Sequence, residues 1–125
     1  ALPDCPTYFP PPGGLRYGLW TFPPDESAGT LSPDFDIVGA LAELEAKFPG
    51  MAAHLEPDAP GMHTTQTVDI GLVLSGEIDL ELDDGATVHL AQGDFVVQNG
   101  TRHAWRNRSG RPTTMVFVLV GAHPA

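Results

Sequence analysis

From Met51 onward the chain alternates apolar and polar residues with a period of two. It is broken at short, even intervals by turn-forming clusters: Glu56-Pro-Asp-Ala-Pro-Gly61, Ser75-Gly76, Asp83-Asp-Gly85, Gln92-Gly93, Asn99-Gly100 and Ser109-Gly110. Successive side chains of an extended strand point to opposite faces, so this period predicts half-buried strands. Many short strands at such spacing predict an all-β sandwich or barrel. The pattern also gives facing. In Glu77-Ile-Asp-Leu-Glu-Leu82 the acids alternate with Ile78, Leu80 and Leu82, one wet face against one buried face. In Val68 to Ser75 one face carries Ile70, Leu72 and Leu74 and the other Asp69, Gly71, Val73 and Ser75; Thr114 to Val120 is apolar on both faces. If Asp69 points inward, the outer face is strongly apolar and needs a cover, from the N-terminal arm, a helix or a second subunit.

The first 50 residues read differently. Proline and glycine are dense from Ala1 to Ser32, which disfavours regular helix and predicts an extended arm. Within it Leu15-Arg-Tyr-Gly-Leu-Trp-Thr-Phe22, bounded by breakers, reads as a strand lying along a sheet. Ser32-Pro33 offers an N-cap with proline at the first helical position, and Phe35, Val38, Leu41, Leu44 and Phe48 recur at spacings of three and four. One short amphipathic helix, Asp34 to Lys47, is predicted to end at Pro49-Gly50. Residues 1–50 are thus expected to form an arm and helix packed on a barrel of residues 51–125, one structural domain overall. The chain opens at Ala1 without Met and runs directly into the proline-rich stretch, which leaves open whether a portion precedes it.

Charge narrows the partners. Asp and Glu number 16 against 6 Lys and Arg, a formal charge of −10, which repels phosphate backbones and anionic membranes; no nucleic-acid partner is expected. Four of the five arginines fall between Arg102 and Arg111, read as solvated rim charges. No apolar run reaches the roughly 20 residues of a membrane span and no signal-peptide pattern opens the chain, so a cytoplasmic protein without membrane partners is expected. Cys5 is the sole cysteine, so no intrachain disulfide forms, and no base or motif beside it marks a reactive thiol.

Chemistry must come from the β region. His63, Thr65, Thr67 and Asp69 stand at even offsets, on one face of a strand, and His103, Trp105 and Asn107 share a face by the same arithmetic. Two imidazoles and a carboxylate from separate strands make a two-His-one-carboxylate set, suited to Fe(II) and related ions with positions open for substrate. On spacing alone, ordinary hydrogen-bonded histidines account for the pattern better. Gln66 falls on the opposite parity and His54 precedes a proline-rich turn, so both rank below Asp69; His89 and His123 are not expected to be ligands.

The spacing resembles the cupin family. Its first motif, His-x-His, three or four residues, Glu, six residues, Gly, is similar to His63-Thr-Thr65, three residues, Asp69, six residues, Gly76. Its second, Pro-x-Gly, two residues, His, three residues, Asn, is similar to Gln98-Asn-Gly100, two residues, His103, three residues, Asn107, with Gly93-Asp94 upstream. Four departures stand out: Thr65 replaces the second histidine, Asp69 replaces Glu, Gln98 replaces Pro, and the gap after Gly93 is one residue short.

The resemblance implies a cupin-type jelly-roll β-barrel. It also implies a divalent metal, Fe, Mn, Zn or Ni, on His63, Asp69 and His103, the same residues serving catalysis, with Thr65, Gln66 and Trp105 around the substrate. No organic cofactor is expected. The implied activity is an enzyme acting on a small organic molecule by oxygenase, lyase or dehydratase, or isomerase chemistry. A metal-free reading, with a histidine as general base or with ligand binding and no turnover, stays open. A homodimer is expected from the apolar outer faces.

Overall fold

The structure is a computed structural model that describes residues 8–25, 37–59 and 61–123. The elements are β1 (Leu15–Phe22), α1 (Ile37–Lys47), β2 (Thr67–Ser75), β3 (Glu77–Glu81), β4 (Thr87–Ala91), β5 (Phe95–Asn99), β6 (Ala104–Arg106) and β7 (Thr113–Gly121). The turn clusters from Ser75 onward fall between strands or at their ends. The helix covers the predicted segment up to Lys47; its predicted start at Asp34, the Ser32-Pro33 cap and Cys5 lie outside the described residues. Among those residues no helix is long and apolar enough to cross a membrane.

The strands form two antiparallel sheets, β1-β7-β2-β5 and β4-β3-β6, the two-sheet arrangement of a cupin jelly roll, here not closed into a full barrel. The arm strand β1 joins the larger sheet by pairing along its whole length with β7, Leu15 opposite Val120 and Phe22 opposite Thr113. Sequence alternation becomes layering in both sheets. Ile78 and Leu80 of β3 are 1% and 2% exposed, while Glu77, Asp79 and Glu81 between them face outward. Met115, Phe117 and Leu119 of β7 meet Val73 of β2, Ile78 and Leu90 in one core. Gly76, at φ +86°, makes the β2–β3 turn; a Cβ there would stand 2.7 Å from Thr113 Oγ1, so the motif position admits only glycine.

The opposite face of the larger sheet is apolar and open. Tyr17, Leu19, Phe95 and Val97 are 79%, 70%, 67% and 50% exposed, with Leu15, Ile70 and Leu74 on the same face. Register aligns them in rows: Tyr17, Val118, Ile70, Val97, and next Leu19, Val116, Leu72, Phe95. β1 extends this face rather than covering it, and α1 packs toward the inner side, where Phe48 just beyond its end stacks on Trp20.

Candidate functional site

The short stretch before β2 carries His63, and the loop before β6 carries His103. They form an isolated antiparallel bridge, each donating its backbone N–H to the other's carbonyl at 3.0 Å. Their rings consequently sit 4.3 Å apart between centroids. A backbone carbonyl only accepts, so the nitrogen beside it carries the proton. His63 Nδ1–H donates to Gly61 O at 3.0 Å and His103 Nδ1–H to Thr101 O at 2.6 Å, so in each ring it is Nδ1 rather than Nε2 that the backbone engages. His103 is 2% exposed, and burial, reinforced by the neighbouring His63, lowers its pKa to about 4; it is a neutral imidazole at pH 7.

The inward face of β2 continues the site. Thr65 and Thr67 are buried, their hydroxyls 2.8 Å apart, and Thr67 donates to Asp69 Oδ1 at 2.5 Å. Burial raises the Asp69 pKa, and the Thr67 hydrogen bond and the charge of His63 draw it back down. Opposite Asp69 in the β2–β5 register stands Gln98, whose side-chain carbonyl is buried without a partner.

These groups open into one cavity of about 210 Å³. His63, Thr65, Asp69 and His103 make its polar part; Tyr8, Phe9, Trp20, Phe22, Trp105 and Phe117 are its aromatic part. Trp20 stacks on Phe48 at 4.0 Å and on Phe22 at 5.5 Å, both nearly parallel to it. Burial and the charge of Asp69 raise the Tyr8 phenol above its ordinary pKa, so it stays protonated. Tyr8, Phe9, Trp20 and Phe22 were not expected as site residues. Their signal in the sequence was the run of aromatics in the arm, which reads as well for sheet packing as for a cavity wall.

At the mouth, Arg102 donates to both Glu56 oxygens at 2.6 and 2.9 Å and to Asp83 at 2.8 Å, tying the 56–61 loop to the loop that carries His103. Arg106 pairs with Glu81 at 2.6 Å. The arginines of this stretch are therefore partly clamps rather than free rim charges. Asn107, fully buried, donates to the carbonyls of Phe22 and Arg111 and so fixes β1 to the barrel.

Gln66 is exposed and lines a separate cavity with His54 and Pro10 to Pro12, because its parity on the strand is opposite to that of His63. The metal triad is also not assembled: among the described residues no group of three or more His, Cys, Asp or Glu comes together. His63 and His103 meet, but Asp69 is one methylene shorter than Glu and its Oδ1 is engaged by Thr67, while Thr65 is a poor ligand for divalent metals. The donors present do not fit the three-ligand centre that the family's motifs imply.

The family model for the cupin domain matches residues 51–119. The chain belongs to the cupin family. This cupin is 54% identical over 67 residues to phomopsin biosynthesis cluster protein C' of Diaporthe leptostromiformis, covering 50% of this chain and 34% of that protein. It is 38% identical over 66 residues to the cupin-domain-containing oxidoreductase virC of Hypocrea virens, again 50% and 34%. The chain thus spans about a third of the length of these curated relatives. A crystal structure of a Cupin 2 conserved barrel domain protein from Salinispora arenicola CNS-205 is 28% identical, with a TM-score of 0.44 over 50% of this chain and 53% of that one.

Proposed function

We propose that this cupin supplies the active site of an enzyme that transfers a proton on a small, largely apolar organic molecule, in isomerase or dehydratase chemistry. His63 and His103 act as the base and its proton relay, and Asp69 is the carboxylate that orients the substrate or takes the proton on. The observation that carries the reading is the paired imidazoles. Both rings are locked by Nδ1–H bonds to backbone carbonyls and both line the apolar cavity, with Nε2 of the neutral His103 unprotonated. The neutral, desolvated imidazole of His103 and the carboxyl of Asp69, whose pKa burial raises, line the same cavity, so a proton acceptor and a carboxyl face one substrate volume. The names of relatives, cupin-domain-containing oxidoreductases and biosynthesis cluster proteins, support turnover over binding alone. With two imidazoles and no third donor, no step is assigned to a metal.

The test is carbon-bound hydrogen exchange. Neutral enolisable aryl ketones such as 1-phenyl-2-propanone, incubated with the protein in D2O and followed by NMR, should gain deuterium faster than in buffer. The gain should persist after dialysis against EDTA and disappear in His103→Gln. Exchange that chelation removes and added Fe, Mn, Zn or Ni restores would establish the metal-dependent alternative. Saturable binding of these ketones without exchange would favour a ligand-binding cupin.

The protein working as a homodimer is part of the same proposal. The open face of β1, β7, β2 and β5 carries rows of apolar side chains and no acidic residue, although the chain as a whole is strongly acidic. A second copy offers the one surface certain to match it, apolar to apolar without buried charge.

A further inference from the structure

The cavity has two chemically different ends, and they come from different parts of the chain. Its polar residues, His63, Thr65, Asp69 and His103, lie inside the family-matched segment 51–119. Tyr8, Phe9, Trp20, Phe22 and Leu44 lie before it, on the arm, β1 and α1. Among the described residues that line it there is no Lys or Arg, so no permanent cation in the wall pairs with a carboxylate or phosphate. A cation is disfavoured for a different reason. The face of an aromatic ring attracts cations and its edge attracts electron-rich atoms. Trp20 stacks on both Phe48 and Phe22, so ring face that a cation would need is taken up by stacking within the wall. Phe117 meets Trp105 and Phe22 edge to face, which uses further ring faces within the wall. The one carboxylate, Asp69, already holds the Thr67 hydroxyl. The volume of about 210 Å³ lies below the ~300 Å³ at which pockets for drug-sized ligands begin, which suits a molecule built on a single ring.

Resting on the reading of this cavity as the substrate site, we infer that its ligand is an uncharged single-ring aromatic compound carrying one oxygen-bearing head group. The ring sits against Trp20 and Tyr8, and the head group lies at His63 and His103. The arm and α1 then set specificity, while the family-matched segment supplies the reacting groups.

Three probes of matched size, 2-phenylethanol, 2-phenylethylammonium and phenylacetate, test the inference by tryptophan fluorescence and ligand-observed NMR with the full chain. The neutral alcohol should bind at least tenfold tighter than either ion. Leu44→Trp, which fills the aromatic end, and Trp20→Leu should each weaken it at least tenfold, with folding checked by circular dichroism. Equal or tighter binding of either ion overturns the assignment, as does alcohol binding indifferent to both substitutions. Binding of the alcohol as expected, with no exchange in the ketone assay, would uphold the ligand class while removing the proton-transfer reading. Should Trp20→Leu unfold the protein, Leu44→Trp decides alone, since Leu44 is only partly buried on the helix.

Discussion

His63 and His103 are held together by the backbone rather than by their side chains: two reciprocal N–H to carbonyl bonds of 3.0 Å join them across a single bridge. The close approach of the two positions, which sets the rings 4.3 Å apart, is therefore a property of the chain path, and the bridge survives substitution of either side chain. This makes single histidine variants informative, because each removes an imidazole without dismantling the bridge.

The buried His103 gives stability a pH dependence of definite sign. Its pKa is about 4 in the folded chain against an ordinary 6.5, so between these values the unfolded chain binds the extra proton. Its contribution is intact above about pH 6.5 and is lost as pH falls toward 4, on the order of 3 kcal/mol at about 1.4 kcal/mol per unit. Asp69, whose pKa is raised, works in the opposite direction below neutrality and offsets part of the loss. Urea denaturation across pH 4 to 7 should show stability declining on acidification, with a shallower decline in His103→Gln.

The donor count sets an expectation for metal content. Protein purified without chelator or metal-binding tag should carry well under one equivalent of Fe, Mn, Zn or Ni by elemental mass spectrometry. His63→Ala and His103→Ala should leave that figure unchanged. Thr65→His combined with Asp69→Glu, which restores the family's donors, should raise uptake toward one equivalent.

The exposed face of the larger sheet should be the dimer contact. Leu19→Lys or Ile70→Lys places a charge in the middle of the apolar rows and should convert dimer to monomer in sedimentation velocity. A monomeric parent protein would remove this assignment.

Gln98 buries a side-chain carbonyl that has no partner, at a cost typical of unsatisfied acceptors, about 1–3 kcal/mol. Gln98→Met keeps the length and removes the acceptor, so thermal unfolding should move upward by several degrees. A downward shift would mean that the amide has a role at its neighbour Asp69.

Alternation in the sequence was enough to determine the strands, their turns and their facing, because a period of two leaves a strand only one way to present an apolar face. The shared face of His63, Thr65 and Asp69 followed from the same parity, as did the exclusion of Gln66 from it. The motif spacing likewise indicated the cupin family, since the glycines and histidines it contains sit at turns and bridges fixed by local geometry. Parity alone carries no distances. Only the folded chain decided that Thr67 engages Asp69 and that, among the described residues, no third donor joins the two imidazoles. It alone brought Tyr8 and Trp20, more than 40 residues before His63, into the same cavity. These are contacts between side chains distant along the sequence, set by how two sheets, an arm and a helix pack, and no local pattern encodes them.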